Sequence, residues 1–240
     1  MTKIEDAILK FDARLSSSDL RYVFLGGSVL SLLVTDTSVA AIRVTKDVDV
    51  MVNVRTRKGF RAAERTLEAL GFRHDTREDA PICRWVCDGV TVDVLPIRQE
   101  VLGWNSRWFE EAIAAPMTVI CGGREIKVVS APYFVALKLE AFEERGQKDF
   151  LGSTDFEDVI CLFNGRESIA DEIAACHVIR SWLAAKFADY LKMPDMETAV
   201  EGFVQTEANP ELRKQCIMER FAKVADLSAL HHPGQDEPDG

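Results

Sequence analysis

The 240-residue chain has no basic N-terminal segment followed by an apolar run, and no stretch of about 18 uninterrupted apolar residues. Neither a secretory leader nor a membrane span is expected, and a cytoplasmic location is. Its six cysteines include no Cys-x-x-Cys pair, which fits a reducing compartment. Cys83 and Cys87 are the pair worth testing, but as residues of one strand their Cα atoms would stand roughly 13 Å apart, too far for an unstrained disulfide. All six are read as free thiols. Histidine is scarce, and His74, His177, His231 and His232 lack metal-ligand spacing. There is no internal repeat and no low-complexity block.

An excess of positive charge is also missing. The net charge of -10 argues against tight nucleic-acid binding. The charge is unevenly spread, however: residues 1–130 balance 18 basic against 18 acidic side chains, whereas residues 131–240 hold 11 against 21. Arg55, Arg57, Lys58, Arg61 and Arg65 form a local basic excess in the first half. At 47% hydrophobic and 28% charged residues, with a mean hydropathy of -0.04, the chain can bury a core. At about 150 residues per domain, one large or two small domains are expected.

After a helical pattern at Ile4, Ile8, Leu9, Phe11 and Leu15, the segment Arg21–Leu25 reads as a strand running into Gly26-Gly27-Ser28 and then a helix-compatible stretch, Val29–Val34. Such a turn offers backbone N–H groups and a hydroxyl at a helix start, where phosphate binds well. Asp47–Val54 alternates strictly, so Asp47, Asp49, Met51 and Asn53 share one strand face. Phe60, Ala63, Leu67 and Leu70 follow at helical spacing, leaving Arg57, Arg61 and Arg65 on the opposite, exposed side; Gly71 stops that helix. Cys83–Cys87 is expected to pair with Thr91–Leu95 across Asp88-Gly89, which puts Asp93 on a strand, and a second hairpin is expected over Met117–Val129 around Gly122-Gly123. Ser130 and Pro132 then open a helical region reaching about Ala225, with breaks near 146–153, 164–165 and 209–210. These patterns predict an α+β fold: a mixed β-sheet core flanked by helices over residues 1–129, a C-terminal helical region over 130–228, and a disordered tail over 229–240.

Three carboxylates, Asp47, Asp49 and Asp93, occupy strand positions that apolar residues normally fill. Solvent-facing carboxylates are the plain alternative, but the phosphate-ready turn upstream and the third acid downstream favour a divalent-cation site. Lys138 and Arg145 lie one heptad apart, on the same side as Phe134 and Ala141. They either meet an anionic ligand or pair with Asp149 or Asp158 in a structural salt bridge. Trp85, Trp104 and Trp108 read as core or interface residues rather than a base-stacking platform.

Leu25-Gly26-Gly27-Ser28, Asp47-Val48-Asp49 and Asp93 together resemble the signature of nucleotidyltransferases of the DNA polymerase β superfamily. The 18-residue spacer 29–46 is longer than is usual there and implies a divergent branch. Arg43-x-Thr45-x-Asp47-x-Asp49, with Lys138 to Phe142, Arg145, Asp149, Asp155 and Glu157-Asp158, resembles the AbiEii-type toxin nucleotidyltransferases over roughly residues 20–165; residues 166–240 carry no resemblance.

The resemblance implies transfer of a nucleoside monophosphate from an NTP to an acceptor hydroxyl, with two Mg²⁺ (or Mn²⁺) ions on Asp47, Asp49 and Asp93. Gly26, Gly27, Ser28, Lys138 and Arg145 would take the phosphates, with Arg43, Thr45 and Asp158 in support. RNA, tRNA foremost, is the acceptor it implies, and an antitoxin the partner. Alternatives are a protein or a small antibiotic as acceptor, a glycosyltransferase using Asp-x-Asp, or a catalytically silent nucleotide-binding module.

Overall fold

The structure is a computed structural model that describes residues 2–36, 38, 39, 43, 45, 47–103, 106–145 and 149–227. The chain starts with helix α1 (Lys3–Leu15), closed by a capping box in which the Thr2 hydroxyl accepts from the Glu5 N–H and the Glu5 carboxylate accepts from the Thr2 N–H. Strand β1 (Tyr22–Leu25) leads to a single 3₁₀ turn (Gly27–Val29) and the short α2 (Leu30–Leu33). Then come β2 (Asp47–Val52), α3 (Arg57–Ala69), β3 (Arg73–His74), β4 (Arg84–Cys87), β5 (Val90–Pro96), α4 (Gln99–Leu102), α5 (Phe109–Ala114), β6 (Met117–Cys121) and β7 (Arg124–Val128).

The seven strands form one mixed sheet in the order β3-β4-β5-β2-β1-β7-β6. Pairs β2–β5 and β1–β7 are parallel and the rest antiparallel. The α+β architecture is therefore as the sequence patterns predict, and both hairpins form across the expected turns. Asp88-Gly89 supplies the two positive φ values, 51° and 77°, that a tight two-residue hairpin needs.

The C-terminal half is helical: α6 (Ala131–Glu144), α7 (Thr154–Gly165), α8 (Ile169–Ala175), α9 (Arg180–Tyr190), α10 (Pro194–Val204) and α11 (Pro210–Ala225). Two breaks beyond those expected occur, between α8 and α9 and before Pro194. Ser130 is the N-cap of α6, but its side chain makes no capping bond. The aromatic rings of Phe142, Phe150, Phe156, Phe163, Phe187, Tyr190 and Phe221 pack together between these helices. Buried apolar residues from Ala7 to Val224 make one continuous core. Among the described residues no helix is long and apolar enough to cross a membrane, and all six cysteines are free. Trp104, His231, His232 and the segment 228–240 lie outside the described residues; Trp85 is fully buried, as a core residue.

Contacts with α7 and α11 fix the stretch that follows α2. The N–H groups of Thr35 and Asp36 both donate to the carbonyl of Gly165, at 2.8 and 2.9 Å. A Cβ on Gly165 would lie 2.6 Å from Val34 Cγ1, so glycine is what lets the two backbones meet. Arg213 of α11 reaches across to Asp36 Oδ2 at 2.7 Å and to Ser38 Oγ at 2.6 Å.

Candidate active site

Strand pairing assembles the three aspartates. In the parallel β2–β5 pair Asp49 stands opposite Asp93 and Asp47 opposite Thr91, so both acids of β2 face the same side of the sheet as Asp93. On the other flank of β2, Leu25 stands opposite Asp49. The chain leaves β1 through Gly26 at φ 71° and ψ -168°, a conformation that only glycine adopts readily. A Cβ there would lie 1.9 Å from Asp49 Oδ2 and 2.8 Å from its Cγ. The glycine thus sits where backbone and carboxylate must touch.

Ser28 departs from the expected phosphate cradle. It is fully buried, and its hydroxyl donates back to the Leu25 carbonyl at 2.9 Å. Because the chain makes one 3₁₀ turn before a four-residue α2, the hydroxyl closes that turn. Gly27 has Asp158 Oδ2, Arg43 Nη2 and Thr45 Cβ around it: an added Cβ would meet them at 3.4, 3.5 and 3.8 Å.

Asp47 and Asp93 have both oxygens engaged. Arg84 of β4, directly opposite Asp93 in the β4–β5 hairpin, donates Nε to Asp93 Oδ1 and Nη2 to Asp93 Oδ2, each at 2.8 Å. The same Nη2 lies 3.0 Å from Asp47 Oδ2, while the Thr91 hydroxyl donates to Asp47 Oδ1 at 2.6 Å. These two carboxylates push the Arg84 guanidinium further above its ordinary range. Asp49 makes no hydrogen bond or ion pair among the described residues. Its carboxyl is pushed up to about 7, first by burial and next by the charge of Asp93.

Arg84 and Thr91 are functional neighbours that sequence reasoning missed. A signal for Arg84 was present, because a two-residue turn at Asp88-Gly89 fixes position 84 opposite position 93.

The second cluster lies between α6 and α7. Lys138 Nζ contacts Asp158 Oδ2 at 2.6 Å and Asp155 Oδ1 at 3.0 Å. Arg145 forks onto Asp155 at 2.9 and 3.1 Å, and Arg43 Nη2 approaches Asp158 Oδ2 at 3.5 Å. The expected pairing of Lys138 and Arg145 with Asp149 does not form; Asp149 caps its own turn through the Leu151 and Gly152 N–H groups. Burial alone would raise the Asp155 carboxyl, but the Arg145 hydrogen bonds and the Lys138 charge hold it below the ordinary range.

Both clusters open onto one cavity of about 590 Å³. Asp49, Asp93 and Arg84 line one wall, Lys138, Arg145 and Asp155 another, with Leu95, Phe109, Phe134 and Leu137 between. Asp47 is not among the lining residues.

The donor set fits a hard divalent cation, since three carboxylates share one sheet face, and such an ion would offset both the burial of the Asp49 charge and the repulsion from Asp93. A ready cage is not formed: among the described residues no group of three or more His, Cys, Asp or Glu is arranged to hold a metal. Arg84 holds two of the three acids instead.

Two expected outcomes follow from these contacts. Removing Lys138 leaves Asp158, which is 2% exposed, with only the 3.5 Å approach of Arg43 among the described residues. Lys138→Met is therefore expected to lower unfolding free energy by about 3 kcal/mol, as for a buried charge that loses its partner. Urea denaturation measures it. Asp49 holds its proton to a higher pH in the folded chain than in the unfolded one, so its contribution to stability is present below the ordinary carboxylate range and is lost as pH rises through about 7. Relative to Asp49→Asn, the metal-free wild type is expected to lose stability between about pH 4 and about pH 7. Paired denaturation curves at the two ends of that window check the difference.

No family model matches the chain, and no curated protein matches it. Among solved structures, the antibiotic-resistance factor ANT(2'')-Ia, whose solution structure was described for its substrate-regulated conformational dynamics, is similar over 66% of this chain and 81% of that one. The identity is 16% and the TM-score 0.44.

Proposed function

We propose that the protein is a metal-dependent nucleotidyltransferase of the DNA polymerase β type, in the AbiEii-like branch, that moves a nucleoside monophosphate from an NTP to an acceptor hydroxyl and releases pyrophosphate. The observation that carries this reading is the register of Asp49 against Asp93 on adjacent parallel strands, with Gly26 pressed onto Asp49. A solvated Asp-x-Asp needs neither the parallel partner acid nor the abutting glycine. A glycosyltransferase using the motif for a sugar nucleotide does not need them either.

Asp47, Asp49 and Asp93 would hold Mg²⁺ or Mn²⁺, which when bound neutralises the transferring phosphate and aligns the attacking and leaving oxygens. Gly26 and Gly27 bring backbone close to the acids so that the phosphates can approach them. Lys138, Arg145 and Arg43 outnumber Asp155 and Asp158 by one charge, and that surplus faces the triphosphate. Asp93 takes the proton of the acceptor hydroxyl as the new oxygen–phosphorus bond forms and the bond to pyrophosphate breaks.

For the acceptor, RNA and foremost tRNA is the leading reading, as for a toxin held in check by an antitoxin. The exposed row Arg57, Arg61 and Arg65 along α3, in which Arg57 Nε also donates to the Glu100 carbonyl at 3.1 Å, gives RNA a handle. Reversing two of its charges (Arg57→Glu, Arg61→Glu) is expected to abolish RNA labelling while Mg²⁺-NTP binding persists. Wild-type binding should show a salt slope of about two or three phosphate contacts. Labelling of tRNA by the reversed variant at the wild-type level would remove the RNA reading. A small hydroxylated acceptor is favoured by a different observation: the cavity is lined by Glu140 and Glu144, and by none of the three arginines. Incubation with each labelled NTP and total tRNA, protein lysate or small antibiotics separates the acceptors. Absence of Mg²⁺-dependent NTP binding would restore the silent binding module.

A further inference from the structure

We propose that Arg84 is a built-in cation that neutralises Asp47 and Asp93 until a divalent ion displaces it into the cavity, making it the residue that sets how tightly the site takes metal. The inference rests on the nucleotidyltransferase reading above.

The three acids are in unequal states. Asp93 accepts two hydrogen bonds from the Arg84 fork, and Asp47 accepts one from the same guanidinium and one from Thr91, so all four oxygens are used. Asp49, between them on the same face, has no partner among the described residues. A cation entering the site finds one open carboxylate and two that are closed by a residue of the chain itself. An exchange of cations follows from this: the metal gains Asp47 and Asp93 only as the guanidinium leaves them.

A purely structural ion pair would not need this reach. The β4–β5 register already sets Arg84 opposite Asp93, which suffices for a cross-strand pair. Its Nη2 extends to Asp47, one strand further, bridging acids on β5 and β2. At 21% side-chain exposure the guanidinium is partly screened from water, so the pairing is stronger than a surface bridge. Arg84 also lines the cavity of about 590 Å³, so once released it has a space to enter. It acts through Asp47 and Asp93 and is a positioning residue.

The test is Mn²⁺ binding to the full-length protein without nucleotide, followed by electron paramagnetic resonance and by calorimetry. Arg84→Met removes the competing cation and its repulsion of the metal, so Mn²⁺ is expected to bind about tenfold tighter or more, the equivalent of roughly one charge-assisted hydrogen bond. Arg84→Lys keeps the charge but loses the fork, and is expected to fall between wild type and Arg84→Met. It provides a second measurement if the methionine variant folds poorly. Thermal melts give an independent readout: metal-free Arg84→Met should melt below wild type, and Mn²⁺ should raise its midpoint by more than it raises that of wild type. Equal or weaker Mn²⁺ binding by both variants, or a lowered midpoint that Mn²⁺ does not restore, overturns the Arg84 proposal and leaves the nucleotidyltransferase reading standing. Absence of Mn²⁺ binding in wild type and both variants overturns the proposal together with the metal site on which that reading depends.

Discussion

Asp49→Asn is expected to lower nucleotidyl transfer by about 10³ or more while the chain stays folded. The reaction builds negative charge on the transferring phosphate, and the ion held by the aspartates supplies most of its stabilisation. Asparagine preserves the shape of the side chain beside Gly26 but removes the charge that attracts the ion. It also removes the burial cost of the charge and, second to it, the repulsion from Asp93 that together lift Asp49 toward neutrality, so the metal-free variant should be at least as stable as wild type near neutral pH. Loss of function combined with gain of stability marks a site held under electrostatic strain. Asp47→Asn should lose a similar factor. A radiolabel transfer assay beside circular dichroism and denaturation measures both, and full activity in either variant removes that residue from the metal site.

Gly26→Ala carries the largest expected effect on structure. The backbone at φ 71° and ψ -168° costs a residue with a side chain about 1–3 kcal/mol. The added methyl would then collide with the Oδ2, Cγ and Cβ of Asp49 at 1.9, 2.8 and 3.2 Å. Overpacking of this kind costs a further 1–3 kcal/mol or so. Rotating the carboxylate away leaves the 3.2 Å approach to the Asp49 Cβ, so β2 must also give by a few tenths of an ångström. Stability should fall by about 3–5 kcal/mol and transfer should disappear. Gly89→Ala is the comparison: its φ is 77°, but nothing lies within 4 Å of the added methyl, so only about 1 kcal/mol of backbone cost remains. If the two substitutions destabilise equally, Gly26 is only a turn residue.

The sequence made local geometry legible wherever a short-range rule applied. Alternation placed Asp47 and Asp49 on one face, and Asp88-Gly89 and Gly122-Gly123 closed both hairpins. The heptad of Lys138 and Arg145 pointed both toward anions: Asp158, one of the two expected partners, does pair with Lys138, while Asp155 takes the place of Asp149. Long-range pairing was less accessible. The parallel register of β2 with β5 joins residues 44 apart, as Thr91 with Asp47, and no periodicity encodes it. The inward turn of the Ser28 hydroxyl depends on a 3₁₀ turn that its sequence does not distinguish from the first turn of an α-helix. Among the helices, the stop before Pro194 has a local cause in proline, whereas the stop at Cys176 has neither glycine nor proline to announce it.

The anchoring of Thr35, Asp36 and Ser38 to Gly165 and Arg213 sets the order in which the protein can become whole. These bonds join residues 130, 175 and 177 positions apart, among the most expensive loops for a chain to close and so among the last native contacts to form. On a ribosome releasing the chain from its N-terminus, the strands bearing all three aspartates emerge long before the helix that ties down their lead-in. Thr35 and Asp36 can be held by Gly165 once α7 is made, but Asp36 and Ser38 gain their Arg213 partner only when α11 has been made and has docked.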